Sequence, residues 1–265
     1  MSSILSRILV AAAALPIVLG LVWLGGWWLF GLAAVAVLLG LHEFYGITRP
    51  LRPAVLAGYA GALATILGAE LGGLEWALGG FLSTFALAFV LKGLSATSQP
   101  TTVSVGATIL GAGWIGLGIA HMLLIRDLPD NGRLAALTVL LAVFAADTAA
   151  FVVGRIFGRH KLAPNMSPGK TWEGFVAGSA ACVFVTWVAL YETGFMTGWR
   201  SFVLGGVIAL AAPVGDLFAS GLKRDLHVKD FSRVLAGHGG ILDRLDSVLF
   251  SAVAAYYVLA AYGAT

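Results

Sequence analysis

Four aspartates are the residues most able to do chemistry in a chain of 265 residues that is 59% hydrophobic and only 11% charged. Asp147 lies in "AVFAADTAAFVVG", Asp216 in "ALAAPVGDLFASG", and Asp243 and Asp246 in "ILDRLDS". Each falls inside an apolar run. A charge at the centre of a spanning helix costs about 2.5–3.5 kcal/mol on insertion scales, so it persists only beside a partner, a metal or a water-filled cavity. Asp216, Ser220 and Lys223 stand at i, i+4 and i+7, one face of one helix. Asp243 and Asp246 stand at i and i+3 on the next helix, with Arg244 turned aside. Carboxylates on adjacent helices suit Mg²⁺, which typically takes one or two carboxylates plus substrate phosphates. The plainer alternative is that Arg244 and the nearby cations pair with these acids merely to hold helices together.

Two basic loops accompany the acids. One runs from Arg155 to Thr171 and the other from Lys223 to Gly240. The first contains "SPGKTWEG", in which Gly-Lys-Thr suggests a Walker A loop. That motif needs a glycine where Pro164 stands, and no strand is expected before it, so the P-loop reading fails. Ser167, Gly169, Lys170 and Thr171 can still offer hydroxyls, N–H groups and a cation at the start of a helix, a position favourable for anions. Glu173 is equally readable as an ordinary helix-start charge, and Trp172 as an interfacial anchor. In the second loop, the glycines of "AGHGG" permit close backbone approach to a ligand. His238, between Lys229 and Asp243, is a candidate phosphate or nucleotide contact. His42, Glu43 and Tyr45, at the end of the second span, read as interfacial residues or minor contributors to the site, with the interfacial reading preferred.

These groups must be positioned by helices. The mean hydropathy is +0.94, and several apolar runs approach the roughly 20 residues that cross a bilayer core. Spans are expected at about 8–24, 27–47, 53–69, 73–93, 103–125, 133–156, 172–192, 201–222 and 241–261. The fold class is therefore all-α, a polytopic transmembrane bundle of about nine helices. The run after Arg7 resembles a signal peptide but is read as a retained first span. With the N-terminus in the cytoplasm, Arg7, Arg49, Arg52, Lys92, Arg155, Arg159, Lys161, Lys170, Lys223, Arg224, Lys229 and Arg233 fall on the cytoplasmic side. Only Arg126, Arg133 and Arg200 fall opposite. Positive charge favours the cytoplasmic face, so the topology is N-in and C-out, with both basic loops cytoplasmic. Residues 1–132 form an N-terminal set of helices, and 133–265 a catalytic region carrying both motif blocks. Asp147 then lies about 13 Å from the cytoplasmic end of its span, at 1.5 Å per residue. All four acids lie in the cytoplasmic half, where a cavity open to that side accommodates them. Cys182, the single cysteine, excludes an intramolecular disulfide and reads as a buried apolar thiol. The net charge of +3 is one-sided rather than patch-like, and no nucleic-acid partner is expected.

The run "SGLKRDLHVKDFSRVLAGHGGILDRLDS" resembles the signature of the phosphatidate cytidylyltransferases, also called CDP-diacylglycerol synthases. The motif falls on Ser220, Lys223, Arg224, Lys229, Asp230, His238, Gly239, Gly240, Asp243, Arg244 and Asp246. The upstream "DTAAFVVGRIFGRHKLAPNMSPGKTWEG" is similar to the family's second block. Ala236 departs from the proline, or sometimes glycine, that the family places there. The resemblance covers Asp147 to Ser247, and the N-terminal spans match only in being hydrophobic.

The resemblance implies transfer of CMP from CTP to phosphatidic acid, giving CDP-diacylglycerol and pyrophosphate in phospholipid biosynthesis. It also implies Mg²⁺, with a second cation such as K⁺ left open, and a homodimer. On this reading Asp216, Asp243 and Asp246 hold Mg²⁺, and Asp147 supports that site or orders a cation from the first loop. Lys223, Arg224 and Lys229 bind the phosphates of CTP or lipid, with Ser220 and His238 beside them. Ser167, Lys170 and Thr171 form a second phosphate-binding edge. Length and the absence of tails point to a bacterial inner (plasma) membrane with the site facing the cytoplasm. The alternative from another class is a secondary transporter using the intramembrane acids for ion coupling, which requires a path to both faces. A CDP-alcohol phosphatidyltransferase would carry an Asp-Gly-x-x-Ala-Arg run, which is missing.

Overall fold

The computed structural model describes residues 15–95, 100–196, 198–232 and 239–263. Its helices are α1 (Leu15–Leu24), α2 (Gly26–Ile47), α3 (Val55–Gly93), α4 (Thr101–Gly111), α5 (Gly118–Arg126), α6 (Gly132–Phe157), α7 (Trp172–Leu190), α8 (Trp199–Asp225) and α9 (Leu242–Ala261). A π-turn over Ala112–Leu117 joins α4 to α5 as one continuous rod. Among the described residues, seven helices are long and apolar enough to cross a membrane, counting that rod once. Large apolar side chains such as Trp28, Phe89, Phe151 and Phe184 point outward, as lipid-facing groups do. The chain is an all-helical, polytopic integral membrane protein with one small exception to the helical rule.

That exception is a two-stranded antiparallel hairpin, β1 (Lys161–Ala163) and β2 (Ser167–Thr171), with Lys161 opposite Thr171 and Ala163 opposite Ser167. It corrects the expectation of a strandless first loop. Pro164 and Asn165 favour a turn between the strands, and Trp172 N–H donates to His160 O at 2.9 Å to close the open end. The loops are also shorter than the sequence suggests. Helix α6 carries Arg155 in its last turn and α8 carries Lys223 and Arg224, because cations are favourable at a helix C-terminus.

The chain forms two compact units. One comprises Met1–Asp127 with Val228–Arg244, and the other Leu128–His227 with Leu245–Thr265. In the first unit, 78% of the most apolar stretch of the α4–α5 rod is buried, which makes the rod the unit's core and explains why it is apolar all round. Helix α3 is not straight. At Gly72 and Gly73 the backbone leaves helical geometry, with Gly73 at φ 70°, ψ −156°, a conformation open to glycine and strained for other residues. The chain folds back there. Gly68 then faces the Trp76 carbonyl, Gly80 faces Ala64, and Gly61 faces Thr84. Arg126, ending α5, donates from Nε to Val22 O at 2.7 Å and from Nη2 to Trp23 O at 3.1 Å. It thereby satisfies carbonyls that the end of α1 leaves open. Of the first expected span, residues 8–14 lie outside the described residues.

In the second unit, α6 and α7 approach through small residues, with Gly174 against the Ala150 carbonyl and Gly178 against the Ala146 carbonyl. Close backbone approach of this kind drives helix association where no hydrophobic effect operates. Cys182 is fully buried at the α7–α8 contact, its thiol donating to Gly205 O at 3.4 Å.

Candidate active site

The second unit gathers Asp147, Lys170, Asp216, Ser220, Lys223 and Asp246. Asp216 is held from two sides. Lys170 Nζ forms an ion pair with Asp216 Oδ2 at 2.8 Å, and Ser220 Oγ donates to Asp216 Oδ1 at 3.3 Å. The i, i+4 spacing read from the sequence thus becomes an observed hydrogen bond. Lys170 Nζ also donates to the Pro213 carbonyl at 3.4 Å. Asp246 is 6% exposed, with Oδ1 accepting from the Ser247 N–H at 2.8 Å. Asp216, Lys223 and Asp147 are all near enough to interact electrostatically with it. Lys223 is buried on the same helix as Asp216 and Ser220, whereas Asp147 is exposed on α6. The resulting cluster contains three carboxylates, two ammonium groups and the Ser220 hydroxyl.

A glycine makes this grouping possible. A side chain at Gly215 would run into the Asp246 carbonyl oxygen and the Phe250 Cβ, so only glycine lets α8 and α9 approach at the level of the acids. Gly215→Leu is expected to lower stability by about 1–3 kcal/mol, the usual effect of overpacking. Tm and turnover should fall together, and a variant unchanged in both would show that the approach is not needed.

The hairpin delivers Lys170. Arg224 Nε donates to the Met166 carbonyl at the hairpin tip, 3.3 Å away, so the basic end of α8 grips the first loop. Thr171, expected as a phosphate contact, has a structural part. It is 4% exposed and its Oγ1 accepts from the Gly174 N–H at 3.2 Å, capping α7. Glu173 pairs with the His160 ring at 2.7 Å. Lys170, a cation of the first loop, pairs with Asp216. Ser167 is half-buried on β2, and Arg224 and Lys229 are exposed.

In the first unit, Asp243 Oδ2 accepts from the N–H groups of Phe231 and Gly240, at 3.1 and 3.0 Å. Glu43, expected to be interfacial, is instead 3% exposed. Its carboxylate accepts from Ser232 Oγ, Ile241 N and Leu242 N. Sequence reasoning missed it because one glutamate near the end of an apolar helix carries no local signal. The pair "HE" at 42–43, near the end of an apolar run, is the one hint. His238, Arg233 and Ala236 lie outside the described residues.

The donor set bears on the metal. Asp216 and Asp246 supply hard carboxylate oxygens, which fit Mg²⁺ rather than a thiolate- or imidazole-seeking metal. Among the described residues no group of three or more His, Cys, Asp or Glu is arranged to hold a metal. Such a sparse protein set suits an ion that completes its shell with water and substrate phosphate. A half-open pocket bordered by Asn131, Arg200 and Tyr262, about 290 Å³, lies at the other ends of α8 and α9 and has no carboxylate in its lining. The acids, not that cavity, have the groups for chemistry.

Comparison with known proteins agrees with the clustered charges. A sequence model of the Cytidylyltransferase family matches residues 5–262. The chain is 34% identical over 248 residues to a phosphatidate cytidylyltransferase of Mycobacterium bovis, covering 86% of this chain and 79% of that relative. It is 33% identical over 251 residues to one of Staphylococcus haemolyticus (92% and 94%) and 31% identical over 263 residues to one of Brucella suis (97% and 93%). The likeness therefore extends well beyond Asp147–Ser247 into the N-terminal helices, where the motifs alone show only hydrophobicity. With a match across nearly its whole length, the chain belongs to the cytidylyltransferase family.

Proposed function

We propose that this protein is a phosphatidate cytidylyltransferase, forming CDP-diacylglycerol and pyrophosphate from CTP and phosphatidic acid. The observation that carries this reading is the Lys170–Asp216–Asp246–Lys223 grouping in a membrane-embedded chain of that family. A phosphate oxygen of the lipid attacks the α-phosphorus of CTP, and the bond from that phosphorus to the β-phosphate oxygen breaks, releasing pyrophosphate. The lipid phosphate is already an anionic nucleophile, so no general base is required. Positioning and neutralisation of charge carry the catalysis.

Asp216 and Asp246 would hold Mg²⁺, with Ser220 orienting Asp216. Asp243 stands three residues before Asp246 on α9, and we carry it over as the motif's other metal carboxylate on that spacing alone. When bound, Mg²⁺ neutralises charge on the transferring and leaving phosphate oxygens. Asp147 adds negative charge that helps retain a cation, and K⁺ remains a second candidate. Lys170 and Lys223 supply cations for phosphate, with Lys170 exchanging its Asp216 partner for substrate. Arg224 and Lys229 are exposed cations for the entering nucleotide. Ser167 offers a hydroxyl at the hairpin edge, and His238 is retained as a nucleotide contact from the motif.

The topology proposed with this reaction has about nine crossings, N-in and C-out, with the chemistry on the cytoplasmic side of a bacterial inner membrane. Folding back of α3 at Gly72–Gly73 supports it, since the arms of about 17 and 20 residues each approach spanning length. Two meetings of helix ends also support it. Arg126 at the end of α5 reaches the end of α1. At the other end of the rod, Ser104 Oγ and Thr108 Oγ1 bond the Arg52 carbonyl and Ala54 N–H. The functional division at 132/133 is kept for the phosphate- and metal-binding groups. A homodimer is proposed from the family likeness.

The test is incubation of purified protein with radiolabelled CTP, phosphatidic acid and Mg²⁺, followed by lipid extraction. Label is expected in a CDP-lipid in amounts matching pyrophosphate release, and to vanish with chelator. No label in the lipid fraction from folded protein would overturn the reading.

A further inference from the structure

Helix α9 begins without a cap of its own. Ile241, which precedes its first residue, has no side-chain acceptor, and Gly240 before it has no side chain. The N–H groups of Ile241 and Leu242 donate instead to Glu43 Oε1 and Oε2, at 2.9 and 2.8 Å. The acceptor comes from α2, 198 residues away in sequence. Ser232 Oγ adds a third bond to Glu43 Oε1 at 2.6 Å. A buried carboxylate is costly unless its oxygens are satisfied, and these donors together with the positive end of the α9 dipole meet that need.

A local Ser, Thr or Asp at position 241 would cap the helix equally well. A remote cap does something more, because it fixes the start of α9 to α2. Two carboxylates act in parallel. Glu43 joins Ser232 to Ile241 and Leu242, and Asp243 joins Phe231 to Gly240. Both therefore hold one strand of backbone before, and one after, the segment between Ser232 and Gly240. Independent support comes from Gly240, where an added Cβ would collide with the Glu43 carboxyl group. The glycine in the motif makes room for a residue far outside the motif.

We propose that Glu43 is a positioning residue for the transferase reaction, holding Ser232 to the turn at Gly240–Leu242 that begins α9 and so fixing Asp243. This rests on the proposed function. The test uses the full chain with Glu43→Ala, Glu43→Gln and Gly240→Ala, alone and as the Glu43→Ala/Gly240→Ala pair. Hydrogen exchange of peptides covering 239–244 reads the turn directly, without reference to any reaction. Exchange there is expected to speed up in Glu43→Ala and Gly240→Ala. Glu43→Gln should fall between, since an amide keeps one acceptor oxygen and loses the other. The Mg²⁺ concentration for half-maximal CDP-lipid formation should rise about tenfold or more, the usual scale for losing an outer partner of a metal ligand. The double variant should be little worse than the worse single one, because both remove the same contact.

Unchanged exchange at 239–244 would overturn the proposal. So would faster exchange with an unshifted Mg²⁺ midpoint and activity lost only in proportion to folded protein, the mark of a structural cap. If Glu43→Ala fails to fold, Glu43→Gln and Gly240→Ala decide the matter by the same two readouts. Absence of CDP-lipid formation by the unsubstituted protein would overturn the reaction instead, while the exchange comparison would still decide whether Glu43 holds the turn.

Discussion

Asp246→Asn is expected to reduce Mg²⁺-dependent CDP-lipid formation by at least about a hundredfold, in line with losing one group that stabilises transferring charge. Asparagine has nearly the same shape and keeps an oxygen to accept the Ser247 N–H that Asp246 Oδ1 now accepts at 2.8 Å. The side chain is 6% exposed and close to the charges of Asp216, Asp147 and Lys223. Removing its charge relieves repulsion from two acids and removes attraction to one cation, so stability should change little. The two measurements therefore separate. Thermal unfolding reports the fold, and Mg²⁺ titration of turnover reports the metal. Folded Asp246→Asn protein that retains near-normal Mg²⁺-dependent rates would remove Asp246 from the metal-binding role.

Lys170→Met should also cost activity far more than stability. The Lys170–Asp216 pair is short, at 2.8 Å, but its side chains are 22% and 35% exposed. Partly solvated pairs of this kind stabilise by at most about 1 kcal/mol, and methionine keeps an apolar stem of similar length on β2. The larger effect is on binding. If Lys170 leaves Asp216 for a substrate phosphate, its loss should lower kcat/KM for CTP or for phosphatidate by about a hundredfold, roughly 2.7 kcal/mol at 1.36 kcal/mol per decade. Varying each substrate in turn identifies which phosphate it meets. A variant with lowered Tm and unchanged kcat/KM for both substrates would reduce Lys170 to a structural partner of Asp216.

These two outcomes and the Glu43 experiment probe different links. Asp246 tests whether the acids act on a metal, and Lys170 tests whether the hairpin serves substrate. Glu43 tests whether an N-terminal helix governs the shape of a C-terminal motif. Gly215 stands apart, because its substitution should harm fold and rate together.

Much of the protein was legible before folding because its signals are local. Apolar length marked the spans, and the i, i+4 spacing of Asp216 and Ser220 became a hydrogen bond. The ordered run from Ser220 to Asp246 pointed to the family that the whole chain matches, which removes the reason for a transporter reading. The expected break between the spans 53–69 and 73–93 is matched by the backbone leaving helical geometry at Gly72 and Gly73.

Tertiary structure alone decided which charges became partners. Lys170 and Asp216 are 46 residues apart, and no periodicity links a hairpin strand to the face of a later helix. Strand pairing of Lys161–Ala163 with Ser167–Thr171 rests on a short turn rather than on the alternation that reveals longer strands. Thr171 gained a capping role because its hydroxyl was within reach of an open N–H at the start of α7. Glu43 changed role for the same reason at a much greater sequence distance. Local sequence specifies what each segment prefers, but a buried polar group must be satisfied by whatever neighbour the packed chain brings to it, and that neighbour is set by the fold as a whole.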